Sequence, residues 1–479
     1  TGRFDTGFWT GGDLGLSGYL SFTRQDNDKW KGAGLAASPI NKGLLNRNGL
    51  FRDGQTWLEQ VNAKAVAFKG AHKFTGFYSF SNRSEADYVD LTWRRYQQSG
   101  RDWDQFTDWS LAKQFANTSG DEDEAYWQSS LGARRDNLVY GMADFALGDV
   151  SRVSVQPYFH ANKGNGDWHA PTYGPSTWSA DPIFFRQTQY NGERTGLNAK
   201  FNTSVAGNTI EAGLWYESNT TTIRRQGWGL KNYQNGPEVD FANNIRLFFD
   251  RTGDIGTTML YAQNSNAFVA DRLKLTYGAK YVNVNADFKS NGNTSNAKTF
   301  GDPNRPALSV TAKAEFLPQV GAVWVINSTD QLFSNFAENM NQYPLSPQSG
   351  IYNLSAAGFD AFKANTKPER ATSVDVGFRT RRERVEASLS GYMIDYRNRL
   401  VGTANCQLTA TCASIISNVG TVSTFGAEGL LNLKLSSALS LANSASINSS
   451  KIDDDYKTGT TTVRSGGKYV VDAPQVMAS

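Results

Sequence analysis

The 479-residue sequence predicts an all-β fold, a transmembrane antiparallel up-and-down β-barrel with long connections at one end and short turns at the other. Three observations carry that expectation. Apolar and polar residues alternate with period two along the whole chain, which puts them on opposite faces of a strand. The breaks between alternating runs are by turns very short and long, the rhythm of an outer-membrane barrel. Aromatic residues make up 13% of a chain that is only 39% hydrophobic, and the mean hydropathy is -0.50. A sheet with lipid on one face and water on the other has that balance, because its lumen and loops outweigh a thin lipid band.

The elements follow in chain order. A turn at Gly11-Gly12-Asp13 leads into Leu14–Phe22, whose even positions are apolar or Gly. Further tight turns are expected at Gly70-Ala71-His72, Gly148-Asp149-Val150, Ala206-Gly207-Asn208 and Val269-Ala270-Asp271. After the last of these, Leu273, Leu275, Tyr277, Ala279 and Tyr281 alternate with Lys274, Thr276, Gly278 and Lys280. Asn327-Ser328-Thr329-Asp330 makes the next turn, and Val374, Val376 and Phe378 alternate ahead of Arg381-Arg382-Glu383. Val385, Ala387, Leu389 and Met393 continue the pattern, and Leu431, Leu433 and Leu435 lead to Ser436-Ser437-Ala438. Gly, Asn and Asp are the residues that short hairpin turns demand. Long connections are expected near 25–56, 83–124, 163–191, 227–254, 290–313, 343–366, 402–418 and 453–468. Counting hairpins gives roughly seventeen strands, many longer than the 9–11 residues needed to cross a bilayer.

Other classes are excluded. No apolar run approaches the roughly 18 residues of a spanning helix. Forty-eight basic against 45 acidic residues leave +3, which gives no support for a nucleic-acid partner. A soluble β-propeller would show a self-similar repeat of about 40–50 residues, and none is visible. No Ser-His-Asp order, nucleotide loop, HExxH or G-x-S-x-G pattern occurs, so no catalytic residue is expected. His160 and His169 do not have metal-ligand spacing, and His72 falls in a turn. The acidic runs Asp121–Glu124 and Asp453–Asp455 read as solvated loop, with calcium binding the alternative.

Four places resemble the TonB-dependent outer-membrane receptors. Gln331–Asn339 resembles the polar-aromatic strand that enters a long loop in that family, and Lys367-Pro368-Glu369 is similar to its "KPE" strand opening. Asn418-Val419-Gly420 followed by Gly426-Ala427-Glu428 resembles its "N-x-G … G-x-E" hairpin. Ala473-Pro474 followed by Met477-Ala478-Ser479 is similar to its late "P-x-x-x-A-S" strand. The resemblance implies residues 1–479 as part of a barrel of about 22 strands, with an N-terminal plug domain, a TonB-box peptide and about four last strands outside the sequence. It implies a multi-pass protein of the Gram-negative outer membrane, surrounded by outer-membrane lipid. It further implies that a small extracellular ligand binds between loops and plug, and that the inner-membrane TonB complex drives its uptake through the plug. A ferric siderophore is the expected ligand, with carbohydrate or cobalamin uptake and a passive porin as alternatives. No cofactor is implied; a ferric chelate would be cargo.

The expected long connections hold the candidate ligand contacts. These are Trp93, Arg94, Arg95 and Trp103 in 83–124, Trp168, Trp178 and Arg186 in 163–191, and Arg224, Arg225 and Trp228 at a strand exit. Guanidinium groups beside aromatic faces suit an anionic or aromatic ligand through bidentate and cation–π contacts. Aromatic platforms alone would suit a sugar, and Trp and Tyr also populate membrane-interface girdles. Cys406 and Cys412 are the only cysteines and lie six apart in one long connection. In an extracellular, oxidising setting they are a disulfide candidate.

Overall fold

The computed structural model describes residues 1–28, 55–86, 93, 96–97, 106, 108–118, 126–172, 179–291, 307–346, 350–354, 356–404, 414–458, 461–471 and 473–479. Alternation along the chain becomes one large sheet of seventeen strands. It is a chain of hairpins: β1 (Gly2–Gly11) with β2 (Leu14–Asp28), β3 (Gln55–Lys69) with β4 (His72–Ala86), β5 (Tyr126–Leu147) with β6 (Ser151–Pro171), and β7 (Ile183–Val205) with β8 (Asn208–Leu230). Then come β9 (Val239–Phe268) with β10 (Leu273–Ser290), β11 (Leu308–Val325) with β12 (Asp330–Asn341), and β13 (Glu369–Arg381) with β14 (Val385–Arg397). A small separate hairpin, β15 (Leu400–Ala404) with β16 (Ser414–Asn418), precedes β17 (Val422–Lys434) and β18 (Ser440–Ile452). Another, β19 (Tyr456–Thr458) with β20 (Thr461–Val463), precedes β21 (Val476–Ala478), which pairs with β18. Successive hairpins of the large sheet also pair antiparallel with each other, as β2 does with β3 and β14 with β17. Every tight turn expected from the sequence is present, and all lie at one end of the sheet. Among the described residues β1 and β21 are the edges, with no ladder joining them.

The two faces differ in chemistry. Following the ladders from β1 to β10, one row reads Trp9, Leu16, Ala67, Phe74, Ala143, Val155, Ala199, Leu214, Leu260, Tyr281. The next row along reads Thr10, Gly15, Phe68, Lys73, Asp144, Ser154, Lys200, Gly213, Tyr261, Lys280, and points to the other face. Nearer the short turns the same apolar face continues from β9 to β14 in the row Phe268, Leu273, Trp324, Leu332, Phe378 and Leu389. Leu260 is 48% exposed and Leu389 63%, so this face is apolar yet uncovered by protein, as a lipid-facing band must be. On the other face side chains bond to one another: Tyr158 Oη donates to Glu217 Oε2 at 2.6 Å, and Trp215 Nε1 donates to Tyr158 Oη at 2.9 Å. Among the described residues no helix is long and apolar enough to cross a membrane.

Two of the expected long connections are corrected. The sequence reading placed loops at 163–191 and 227–254, but β6 runs on to Pro171, β7 starts at Ile183, β8 ends at Leu230 and β9 starts at Val239. These strands are 21, 23, 23 and 30 residues long, about two to three times what a bilayer needs. Beyond the lipid neither face is forced to be apolar, so the hydropathy alternation fades while strand pairing continues. Two connections carry helix. In the β4–β5 connection, α1 (Trp109–Thr118) starts where Asp108 Oδ1 accepts the Leu111 amide at 2.9 Å, an N-cap bond. In the β12–β13 connection, a single 3-10 turn (Ile351–Asn353) and α2 (Ala356–Asn365) fold against the sheet. Tyr343, Leu345, Ile351, Tyr352, Leu354, Phe359 and Phe362 there form a core with Val284, Ala286, Phe288, Leu308 and Ala312.

Candidate functional site

The lumen-facing positions of β5–β9, carried past the lipid band toward the long-connection end, form three successive rows. The first is Arg134, Gly164, Tyr190, Ile223, Arg251. The second is Gly166, Thr188, Arg225, Phe249, and the third is Trp168, Arg186, Gly227, Arg246. No Asp or Glu occupies these rows, so the wall is cationic and aromatic.

Each guanidinium lies against a ring. Arg134 sits 4.1 Å over the Tyr190 ring, Arg186 4.6 Å over Trp168, and Arg225 5.2 Å and Arg251 4.6 Å over Phe249. Arg246 sits 4.9 Å over Phe248, and Arg251 also reaches to 5.4 Å from the Tyr352 ring of the β12–β13 connection. Arg225 Nε donates to Thr188 Oγ1 at 2.8 Å, which fixes its direction. Glycines make the stacking possible. A Cβ on Gly164 would lie 2.6 Å from the Tyr190 ring, and one on Gly166 would lie 2.8 Å from the Trp168 ring. Arg186, Arg246 and Arg251 are each only 3% exposed, while Arg134, Trp168, Tyr190 and Arg225 are half-buried. Burial pulls the Arg246 guanidinium down to about 10, still protonated at neutral pH. The wall therefore offers half-buried Arg134 and Arg225 beside the rings of Tyr190 and Trp168, with Arg186, Arg246 and Arg251 buried in the same rows.

The structure thus brings three of the sequence candidates together: Trp168, Arg186 and Arg225. Arg224, one residue from Arg225, points to the other face, where its Nε and Nη2 bind Asp250 Oδ2 at 2.7 and 2.5 Å. Trp228 is on that same outer face, edge-on to Phe241 with ring centroids 5.6 Å apart. Trp93 is 70% exposed and stacks on Tyr96 at 5.2 Å. Arg94, Arg95, Trp103, Trp178, Cys406 and Cys412 lie outside the described residues. Arg134, Tyr190, Arg246, Phe249 and Arg251 were missed. Their signal was their place on lumen-facing positions, at a level the sequence reading had partly given to loops.

The outer face of the same strands is closed by α1. Its Ala112 and Ala116 are buried against Tyr126, Ile183, Phe185, Leu230 and Tyr233. Trp109 Nε1 donates to the Tyr233 carbonyl at 2.9 Å. At the centre His169, 2% exposed, donates from Nε2 to the Pro237 carbonyl at 2.9 Å, between the rings of Trp109, Tyr126 and Phe185. Desolvation there holds the imidazole down at about 4, and pushes the Tyr126 hydroxyl up to about 12. Among the described residues no group of three or more His, Cys, Asp or Glu could hold a metal ion.

This architecture has known counterparts. The family described as TonB dependent receptor-like, beta-barrel matches residues 70–479. The chain belongs to the TonB-dependent receptor family. It is similar in fold to the ferric citrate transporter FecA in its unliganded form, at 12% identity and a TM-score of 0.63, covering 98% of this chain and 58% of that one. The siderophore receptor PiuA from Acinetobacter baumannii gives 11% identity and a TM-score of 0.63, covering 99% of this chain and 66% of that one. The ferric yersiniabactin uptake receptor FyuA from Yersinia pestis gives 12% identity and a TM-score of 0.62, covering 99% and 62%. The chain thus spans less than two thirds of the length of these receptors. As a TonB-dependent receptor barrel it is a protein of the Gram-negative outer membrane. Its apolar row is the lipid face, and the end with the short turns is the periplasmic one.

Proposed function

We propose that this receptor barrel takes up an anionic, ring-bearing metal chelate, a ferric siderophore, with energy supplied by the TonB complex. The observation that carries the reading is the lumen-facing wall of Arg134, Tyr190, Trp168, Arg186, Arg225 and Arg251, in which every arginine is paired with an aromatic face. Carboxylates and catecholates of a chelate would meet the half-exposed Arg134 and Arg225, and rings of the ligand would stack on Tyr190 and Trp168. A neutral sugar would meet the same platforms without the bidentate contacts that guanidinium groups make to carboxylates and catecholates. Trp93, Arg94, Arg95, Trp103 and Trp178 are proposed as first contacts in the connections above. Uptake of this kind transports its ligand unchanged, so no covalent chemistry is assigned.

The test is equilibrium binding of ferric citrate, a ferric catecholate, a ferric hydroxamate and a neutral oligosaccharide to the purified protein, read by tryptophan fluorescence. One ferric chelate is expected to bind saturably, and more weakly as salt rises. Combined Arg134→Ala and Arg225→Ala substitutions should weaken it by about tenfold or more. Saturable, salt-independent binding of the oligosaccharide with none of the chelates would overturn the proposal. Uptake of radiolabelled iron in cells with and without TonB tests the energy source separately.

A further inference from the structure

The outer surface of β5 and β6 holds two cations side by side. Arg135 and Lys163 are directly opposed in the β5–β6 ladder, and both are exposed. Like charges placed opposite each other on a sheet destabilise the pairing unless something neutralises them. Among the described residues nothing pairs with them. The neighbours across the flanking ladders are Asn82 on β4 and Asn191 on β7. Asp136, next in sequence to Arg135, points to the lumen, where it binds His160 and Asn162. Asp167, farther up the outer face of β6, is buried and accepts from Gln187. Glu193, the nearest carboxylate on the outer face of β7, pairs in register with Ala161. Among the described residues neither Arg135 nor Lys163 forms an ion pair.

Their height is informative. Four residues down the same strands lie Val139 and Phe159, exposed members of the apolar face, with Tyr78 beside them. At about 3.3 Å per residue and a strand tilt near 40°, the cations sit roughly 10 Å above that row along the membrane normal. Counted from exposed Leu147 at the short-turn end of β5, Arg135 is about 30 Å up the normal, where the hydrocarbon core ends and long side chains reach headgroups while their stems stay on apolar surface.

We propose that Arg135 and Lys163, flanked by Asn82 and Asn191, form a docking site for the phosphate of an anionic lipid in the external leaflet. Two cations converge on one phosphate, and the lipid's chains run down the apolar face that continues directly below. The site faces the bilayer, on the opposite side of the sheet from the ligand wall, and does not depend on what the receptor transports.

The test uses purified protein in a neutral detergent, with bisphosphorylated lipid A as the probe and its dephosphorylated form as the control, read by native mass spectrometry. Wild-type protein should retain the phosphorylated lipid in preference to the control. Arg135→Gln with Lys163→Gln should weaken retention by about thirtyfold, at roughly fivefold per basic residue at an anionic surface. The charge-preserving exchange Arg135→Lys with Lys163→Arg should retain it, which separates lost charge from lost fold. Equal retention of the two lipid forms by the wild type, or undiminished retention by the double Gln variant, would overturn the proposal.

Discussion

His169 gives the outer cover of the barrel an acid-sensitive seat. Its imidazole is enclosed by Trp109 of α1, Tyr126 of β5 and Phe185 of β7, and its bonded nitrogen is committed to the Pro237 carbonyl. Desolvation lowers its proton affinity from the usual 6.5 to about 4. The sign follows from linkage: the closed form keeps the ring neutral, while an opened form takes up a proton near pH 6.5. The closed state is therefore at full strength above pH 6.5, weakens as pH falls, and levels off below about 4. At 1.36 kcal/mol per pH unit the loss approaches about 3 kcal/mol, a hundredfold or more in the opening constant of α1. Asp181 works in the opposite sense, since burial raises its carboxyl. The slope must therefore be read against a non-titrating variant, His169→Gln, which can still donate to the Pro237 carbonyl. Hydrogen exchange of the Ala112–Ala116 amides, corrected for intrinsic rate, should rise steeply from pH 7 to 4.5 in the wild type and stay nearly flat in H169Q. A flat wild-type profile, or an equal slope in both proteins, refutes the reasoning.

Further outcomes follow from the same geometry. Asp250 is 4% exposed and held by Arg224 and by Asn291 Nδ2 at 3.1 Å, so Asp250→Ala should cost about 1–3 kcal/mol in thermal unfolding, without altering ligand affinity. Gly213→Val would drive a Cβ to 2.3 Å from the Tyr261 ring, whereas a Cβ on Gly256 meets nothing within 4 Å. Gly213→Val should accordingly lower the gel heat-modifiability midpoint, by an overpacking cost of about 1–3 kcal/mol, and Gly256→Ala should not. At the β11–β12 turn, hydrogen bonds from Thr380 and Asn327 and the guanidinium of Arg382 hold the Asp330 carboxyl at about 2. Its contribution is present at neutral pH and lost as pH falls from 3.8 toward 2. Asp330→Asn should remove that acid-sensitive part of the unfolding profile.

Much of the architecture was legible because lipid imposes it. Where the outer face must be apolar, every second residue announces its side, and Leu273–Tyr281 and Val385–Met393 were assigned correctly down to the face. Turns such as Gly11-Gly12-Asp13 and Gly70-Ala71-His72 were legible because Gly12 and Gly70 adopt positive φ, and those at Arg381–Glu383 and Ser436–Ala438 because short polar runs interrupt the alternation. The ligand wall was only half legible. Trp168, Arg186 and Arg225 stood out by residue type, but Arg224 and Arg225 were taken together although successive strand residues point to opposite faces. Above the membrane both faces of β6–β9 meet water or protein, so hydropathy no longer reports direction, and 163–191 read as loop. Tyr190 and Arg251 were missed for that reason, and Arg134 on β5 because its meaning is positional and depends on ladders between distant segments. The seat of α1 around His169 was illegible in the same way, since a lone histidine reports nothing until its ring neighbours are assembled.

The most direct test of the two-faced sheet replaces Cys406 and Cys412 by Ser and places single cysteines along the adjacent rows, at Phe74, Ala199 and Leu260 on one and at Lys73, Lys200 and Tyr261 on the next. Each is labelled with an environment-sensitive fluorophore in nanodiscs. Labels in the first row should be quenched by nitroxide lipid chains and those in the second by a water-soluble quencher, switching at every step along each strand. Equal quenching of neighbouring positions, or chain quenching of neither row, would contradict a receptor barrel with lipid outside and an aqueous lumen within.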